Sequence, residues 1–286
     1  LESNMIETVP SAHIFADSLR SLGYNLNTAL SDLIDNSIEA NATEIDIDWQ
    51  HGNEPLDGPS NWMCISDNGD SMDGDRATES LKYGSSRTEK VNPEVTGNKG
   101  QLSRYGTGLK TASTSQCRRL WVAARQNKER QVMVVRKLDL DRMIEYDSWF
   151  VETMTQTEAP APLRKHLDEK PGTAILWQNL DKLLKQAQPF SPQSRGSTEK
   201  KFEAAKKYIG MVFHRYISGT CIQNPRRKKV TIRMNGEIIE AWDPFCRLYK
   251  DPKVHVWDPT SYQLPVAGLE VATVPVTVQG FILPKE

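Results

Sequence analysis

Cysteine is scarce in this sequence, and its four residues are widely separated. They are Cys64, Cys117, Cys221 and Cys246 in a chain of 286 residues. This spacing excludes the Cys-x-x-Cys motif of zinc sites and redox centres, and the five histidines form no metal or nucleophile signature. We therefore predict reduced and mostly buried thiols, as is usual for intracellular proteins.

Long apolar runs and an excess of charge are also missing. No segment reaches the ~20 apolar residues of a membrane-spanning helix, and no secretory leader is recognisable. We therefore predict a protein of the cytoplasm, or of the nucleus in a eukaryotic source. The 36 basic and 37 acidic residues give a net charge of −1. This balance neither favours nor excludes a nucleic-acid partner, because a local basic patch can exist within it.

Functional chemistry first appears in a helix predicted from about Asn25 to Ala40. Leu26 and Leu30 follow helical spacing and begin an apolar face. Asp32 and Asn36 lie one turn apart on the same side of the helix. The acid could orient and deprotonate a water molecule, and the amide oxygen could ligate a hard cation such as Mg²⁺. Taken alone, the stretch is also compatible with an ordinary amphipathic helix that carries solvated acids.

A second polar site follows the strand predicted over residues 62–66. Asp67 lies at the end of this strand, so its carboxylate could turn inward and accept a hydrogen bond from an exocyclic amine such as that of adenine. Gly69 would let the backbone approach the ring. The alternative is an ordinary Asp-Asn-Gly turn.

Residues 73–105 form a long segment with little core-forming pattern after a short helix, which is typical of a functional lid or of a disordered loop. The segment leads to Gly106 and Gly108, which precede a predicted helix start. Such a loop would present backbone N–H groups and the helix dipole to an anion, and Lys110 would add a positive charge. One Gly-x-Gly motif is weak by itself, and a glycine-rich helix entry is the alternative.

The rest of the chain contains four further predicted features. They are a buried strand over residues 172–178, a linker over 186–198, an amphipathic helix over 199–217 and a hairpin over 230–240. Thr173 could brace Asp67 or a water bound to it, or simply begin the strand. The basic run 226–229 could touch nucleic acid, although a solvated loop is the simpler interpretation.

Together these motifs resemble those of the GHKL ATPase superfamily, which includes gyrase, the ninety-kilodalton heat-shock chaperone, histidine kinases and MutL. Four segments follow the family's order. They are residues 32–40 (its Asn box), 67–69 (its adenine box), 106–110 (its phosphate box) and 172–173 (its final box). Residues 104–110 and 172–177 look most like MORC ATPases, and residues 36–48 have MutL-like features.

The resemblance implies an α+β fold. It implies a two-layer α/β sandwich of the GHKL (Bergerat) type over residues 5–185, the linker over 186–198, and the start of a transducer-type, ribosomal-protein-like α/β domain over 199–286. In these families the transducer domain supplies a lysine to the terminal phosphate of ATP. We expect that domain to be incomplete, with the lysine beyond Glu286, so that this chain binds ATP better than it hydrolyses it.

The resemblance also implies residue roles. Asn36 would hold the Mg²⁺ that bridges the phosphates, Asp67 would read the adenine amine, and Asp32 would be the catalytic base. The further nucleotide-binding residues would be Gly69, Met72, Gly84, Ser85, Ser86, Arg104, Tyr105, Gly106, Thr107, Gly108, Leu109, Lys110 and Thr173. Residues 73–105 would close as a lid on ATP together with dimerisation, giving an ATP-gated homodimeric clamp with DNA as a candidate partner.

Two positions depart from the family pattern. The base is usually glutamate, and the aspartate at position 32 reaches roughly 1.5 Å less far. Misplacement on this scale can cost on the order of a hundredfold in rate, so we expect slow hydrolysis. Asp35 does not replace it, because it lies about 100° around the helix from Asn36. Ser71 occupies the position of the adenine box's second glycine, which restricts that loop.

Two alternatives to a hydrolysing clamp fit the same motifs. One is a nucleotide-binding dimerisation switch with little hydrolysis, in which Asp32 is too short to act. The other is a chaperone-type ATPase that binds protein clients.

Overall fold

The computed structural model describes residues 11–21, 23–52, 58–82, 108–126, 132–168, 170–184, 192–220, 228–245, 255–265 and 273–282. The chain divides into two compact units, Leu1–Glu240 and Ala241–Glu286. The predicted site residues that the structure describes all belong to the first unit. In the described part of the chain, no helix is long and apolar enough to cross a membrane.

A mixed sheet of eight strands forms the centre of the first unit. The strands are β1 (Glu44–Gln50), β2 (Trp62–Asp67), β3 (Arg119–Arg125), β4 (Met133–Asp139), β5 (Glu152–Met154), β6 (Gly172–Gln178), β7 (Thr231–Met234) and β8 (Glu237–Ile238). Their order across the sheet is β5-β4-β3-β6-β2-β1-β7-β8. Neighbouring strands are antiparallel except β1 and β7, which are parallel.

Helices account for most of the remaining described residues of this unit. They are α1 (Ala12–Arg20), α2 (Leu26–Glu39), α3 (Gly74–Leu81), α4 (Gly108–Thr114), α5 (Leu140–Glu145), α6 (Ala161–Leu167), α7 (Pro192–Val212) and α8 (His214–Ser218). The mixture of one large sheet with helices confirms the predicted α+β class.

Helix α2 begins where the sequence predicts. Asn25 is its N-cap and forms a capping box with Thr28, because each side chain accepts a hydrogen bond from the other residue's backbone N–H. The predicted apolar face is buried, and Leu30, Leu33 and Ile34 have no exposed surface. Each such side chain contributes about 1.5–3 kcal/mol when fully buried.

Helix α7 contacts strand β1 through Phe202 and also packs against α2. Side chains alternate between the two faces of a strand, so Ile45, Ile47 and Trp49 of β1 share a face. Both isoleucines are fully buried, and the Trp49 ring stacks on Phe202 of α7 with centroids 4.3 Å apart. This is the face over which the long helices lie.

The opposite face is covered in part by α6, a helix that was not predicted from the sequence. Leu163 and Leu167 pack there in a buried cluster with Cys64, Trp121 and other side chains of β2, β3, β4 and β6. Beside this cluster, Asp48 on β1 lies 3.2 Å from both Lys165 Nζ and His166 Nε2. These contacts hold the Asp48 pKa below its usual range, chiefly through the His166 hydrogen bond.

In the later half of the first unit, helix α7 begins earlier than predicted. Helix α7 begins at Pro192, inside the predicted linker, and proline fits a helix start because its missing N–H is not needed there. The predicted hairpin is confirmed: β7 and β8 are joined by Asn235 and Gly236, both at positive φ. Residues 185–191 lie outside the described part, and the domain division over 186–198 stays a prediction.

The second unit contains four short described strands. They are β9 (His255–Val256), β10 (Thr260–Pro265), β11 (Thr273–Val278) and β12 (Phe281–Ile282). β10 pairs with β11, and β9 pairs with β12, both antiparallel. The rings of Phe245 and Phe281 lie 5.0 Å apart.

A first prediction concerns the stability effect of replacing Gly172, at the start of β6. Its φ is +149°, and a methyl group at this residue would lie 1.9 Å from the Asp67 carbonyl oxygen. We expect Gly172→Ala to destabilise the protein by about 3 kcal/mol or more, because backbone strain and a backbone clash add. Thermal and denaturant unfolding measure the loss.

Gly236→Ala is the matched control. Gly236 also has a positive φ, +82°, but nothing lies within 4 Å of an added methyl group. Its cost should be only about 1 kcal/mol, since the strain acts alone. Equal losses in the two variants would show that the contact with Asp67 is not the constraint.

Candidate functional site

Asp32 lies between a tyrosine and the start of helix α4. The Tyr24 hydroxyl donates a hydrogen bond of 2.9 Å to Asp32 Oδ2. A methyl group built on Gly108 would lie 3.4 Å from the same oxygen. The predicted base and the described end of the predicted phosphate segment are therefore neighbours in space. Burial, followed by the Asp32 hydrogen bond, raises the pKa of Tyr24 to about 12.

Asn36 is half-buried one turn after Asp32 on α2. Its backbone carbonyl accepts a hydrogen bond from Ala40 N–H, as a helix requires. Within the part of the chain that the structure describes, no hydrogen bond to its side-chain amide is found. The amide oxygen is therefore available to a cation, which fits the predicted metal role.

Asp35 also lies on this helix and is partly buried. Burial raises its pKa to about 6, with smaller contributions from the negative charges of Asp32 and Glu39. A cation beside Asn36 would offset this clustering of carboxylates.

Asp67 accepts hydrogen bonds from three directions. The Ser37 hydroxyl donates to Oδ2 at 2.8 Å, and the Gly69 N–H donates to Oδ1 at 2.9 Å. The Thr173 N–H is the third donor. Burial raises the Asp67 pKa, and these three donors counteract the rise. Thr173 and Asp67 are partners in the β2–β6 register, and the predicted bracing role of Thr173 stays a prediction.

Gly69 packs against the last turn of α2. A methyl group there would lie 2.5 Å from the Ala40 carbonyl oxygen, so the loop needs glycine for this contact as well as for the predicted approach to a ring. Asp70 N–H donates to the same carbonyl at 2.6 Å, and Asn41 Nδ2 donates to Asp70 Oδ2. The loop after Asp67 is therefore fastened to the helix that carries Asn36.

A cleft of about 370 Å³ opens beside this loop. Its lining consists of Asn41, Asn68, Gly69, Asp70, Ser71, Gln126 and Pro171. Asp32, Asn36 and Asp67 are not among the lining residues, so the cleft lies next to the predicted adenine contact and does not join the three groups. Met72, which follows the loop, is half-buried.

Lys110 is fully buried on α4, beside the half-buried Leu109. Its ammonium group donates a hydrogen bond to the carbonyl of Lys82, just after the end of α3. Burial lowers the Lys110 pKa to about 8, and the nearby Glu79 acts in the opposite direction. The structure thus places this charge at the carboxyl end of α3, and its predicted phosphate role stays a prediction.

Several of the predicted binding residues lie outside the described part of the chain. They are Gly84, Ser85, Ser86, Arg104, Tyr105, Gly106 and Thr107. Their roles, and the predicted lid that contains most of them, stay predictions. In the residues that the structure does describe, no group of three or more histidine, cysteine, aspartate or glutamate side chains could hold a metal ion.

Three contacts of the site were not predicted from the sequence: those of Tyr24, Ser37 and Arg20. Arg20 is buried, donates to the Thr114 carbonyl at 2.9 Å and forms an ion pair with Asp181. It thereby binds the carboxyl end of α4, where a positive charge is favourable. Arg20 and Thr114 are 94 residues apart, so no local pattern reveals the contact.

Comparisons with known proteins found several matches. Residues 24–173, more than half of the chain, match the family model for histidine kinase-, DNA gyrase B- and HSP90-like ATPases. Mouse ATPase MORC2B is 41% identical over 85 residues, and human ATPase MORC2 is 39% identical over 85 residues. Each match covers 30% of this chain but only 8% of the relative's length.

One similar solved structure is the N-terminal domain of a DNA repair protein. It has a TM-score of 0.47 and 15% sequence identity, and the match covers 96% of this chain and 73% of that one.

The hydrogen bond between Ser37 and Asp67 should make a contribution to stability that depends on pH. Ser37→Ala should destabilise the protein by about 1.5–3 kcal/mol at a pH at which Asp67 is ionised, since the hydroxyl then donates to a charged group. The bond favours ionised Asp67, so its contribution is present above the raised Asp67 pKa and decreases as the pH falls through it. The loss should therefore be smaller at pH 4, as measured by thermal unfolding.

Ser31→Ala is the control on the same helix. The Ser31 hydroxyl donates to the Asn27 backbone carbonyl, which carries no charge. Its loss should not depend on pH. A pH-independent loss for Ser37→Ala would contradict the role of the charged carboxylate.

Proposed function

The chain belongs to the family of histidine kinase-, DNA gyrase B- and HSP90-like ATPases, and on this basis we propose that it binds and hydrolyses ATP with Mg²⁺. The family match confirms the resemblance to the GHKL superfamily, and the chain is similar to MORC ATPases. The activity proposed below concerns residues 24–173, the segment that matches the family model.

One observation carries the proposal: the hydrogen bond of 2.8 Å from Ser37 to Asp67. Ser37 follows Asn36 in the chain. The bond therefore holds the part of α2 that carries the proposed metal ligand, Asn36, close to the proposed adenine contact, Asp67. The Asp67 carboxylate lies in a poorly solvated position at the end of β2. An exocyclic amine is a suitable further donor to such a group, because it offsets the cost of burying the charge.

The residues present fit a magnesium ion. Asn36 offers an amide oxygen, and the carboxylates of Asp32 and Asp35 add negative charge nearby. When bound, Mg²⁺ would neutralise charge on the phosphates of ATP. Asp32 would accept a proton from the attacking water, while the N-terminal end of α4 would face the phosphates.

The test is ATP titration with and without Mg²⁺. Asn36→Ala should weaken ATP binding about ten- to hundredfold in Mg²⁺, because even residues that only support a metal ligand have effects of this size. In EDTA, the variant and the unmodified chain should bind alike. Isothermal titration calorimetry measures both affinities.

Asn27→Ala is the matched control for this titration. Asn27 is a half-buried asparagine on the same helix, nine residues earlier and hence about 180° around it from Asn36. It should leave both affinities unchanged. If Asn36→Ala retained full magnesium-dependent affinity, the metal assignment would be wrong.

The short side chain of Asp32 favours a second function, a nucleotide-binding switch with little hydrolysis. Aspartate brings its carboxylate less close to the phosphates than glutamate would, and turnover could be slow enough for binding alone to matter. Phosphate release compared between the unmodified chain and Asp32→Asn separates the two functions. Equal, near-background rates would favour the switch.

We also propose that ATP closes two copies of the chain into a clamp that acts on DNA. This finer proposal is supported by the similarity to MORC ATPases. A chaperone-type ATPase that binds protein clients is the alternative.

Sedimentation velocity with a non-hydrolysable ATP analogue and Mg²⁺ tests the clamp. The chain should sediment as a dimer with the analogue and as a monomer without it, and Asn36→Ala should remain monomeric in both. DNA added to the dimer should co-sediment. A monomer under saturating analogue would exclude the clamp for this chain.

A further inference from the structure

We infer that Tyr24 is a positioning residue for ATP hydrolysis, holding the Asp32 carboxylate so that its second oxygen faces the attacking water. This inference rests on the proposed function, because it assigns Tyr24 a role only if Asp32 is the base. Tyr24 lies outside the predicted motifs, just before the N-cap of α2.

The two oxygens of Asp32 have different surroundings. Oδ2 accepts the Tyr24 hydroxyl at 2.9 Å and lies beside Gly108. Oδ1 has no hydrogen-bond partner among the residues that the structure describes. A carboxylate held by one oxygen in this way has a fixed rotamer and leaves its other oxygen available to water.

Tyr24 is itself held in place. Gln116, which is buried after α4, donates from Nε2 to the Tyr24 backbone carbonyl at 3.1 Å and to the Ser115 hydroxyl at 2.9 Å. The tyrosine is therefore fixed at its backbone by the α4 segment and at its hydroxyl by α2. Tyr24 therefore links the position of Asp32 to the α4 segment, whose start would face the phosphates in the proposed function.

The short side chain of Asp32 makes its positioning by Tyr24 important. Asp32 is the position at which the chain departs from the glutamate of the resembled family. Because a misplacement of about 1 Å can cost about a hundredfold in rate, a base with a shorter reach depends on being held in position. A phenol is suited to the task because Tyr24, with its pKa raised to about 12, keeps its proton and remains a hydrogen-bond donor at neutral pH.

Tyr24→Phe tests the inference, because it removes the hydroxyl and keeps the ring and the Gln116 contact. We expect kcat for phosphate release to fall about tenfold, with KM changed less than about twofold, since the hydroxyl orients the base without touching ATP. Tyr208→Phe, a half-buried tyrosine on α7, is the matched control and should leave both constants unchanged.

Asp32→Asn and the double variant complete the cycle. Asp32→Asn should lose turnover, and adding Tyr24→Phe should lower it no further, because the hydroxyl acts only through the acid. A purely structural role would instead lower the melting temperature, raise KM and make the two losses add. An unchanged or increased kcat in Tyr24→Phe would overturn the inference.

The outcomes separate the inference from the proposed function. Loss of turnover in Asp32→Asn with none in Tyr24→Phe removes only the role of Tyr24. Full turnover in Asp32→Asn removes the base itself and, with it, the proposed mechanism.

Fluorine NMR decides the case in which Tyr24→Phe does not fold. In the chain labelled with 3-fluorotyrosine, one of the eight tyrosine resonances should move when Asp32→Asn is introduced, since Tyr24 contacts the altered group. If no resonance moves, the contact is absent in solution and the inference fails.

Discussion

The hydrogen bond between Ser37 and Asp67 is the constraint on which the candidate site depends. It joins the middle of helix α2 to the end of strand β2, and the two bonded residues are 30 positions apart in the chain. Burial makes the Asp67 charge costly, and three donors stabilise it. Because those donors come from α2, from the following loop and from β6, the carboxylate orients all three. A site that depends on one buried charge is specific but sensitive to the loss of any donor.

The candidate site also requires backbone segments to approach one another closely. Gly69 contacts the last turn of α2, and Gly172 contacts the Asp67 carbonyl, each at a distance that no side chain tolerates. Gly69 lets the loop after β2 lie against the end of α2, and Gly172 lets the start of β6 lie against Asp67. The backbone around Asp67 is thereby held close to both α2 and β6.

Local patterns predicted several elements, such as α2 and the β7–β8 hairpin, but neither helix α6 nor the long-range contacts. Helix α2 has apolar periodicity and an N-cap at Asn25, and the Asn235-Gly236 turn specifies its own hairpin, so both were predictable. The prediction missed the start of α7 because Pro192 was taken as part of a linker, although proline is also favoured in a first helical turn. The contacts of Tyr24 with Asp32 and of Arg20 with Thr114 depend on how α1, α2 and α4 pack, which periodicity does not encode.

The parallel pairing of β1 with β7 has a consequence for how this protein can be divided. β7 follows the predicted linker, yet it lies in the same sheet as β1, and Phe202 of α7 stacks on Trp49. A shortened chain that ended before α7 would expose the N–H and C=O groups of β1 along an open sheet edge and uncover an indole ring. Open edges of this kind recruit strands from other molecules. Truncation there would thus produce self-association through β1 that imitates a biological dimer.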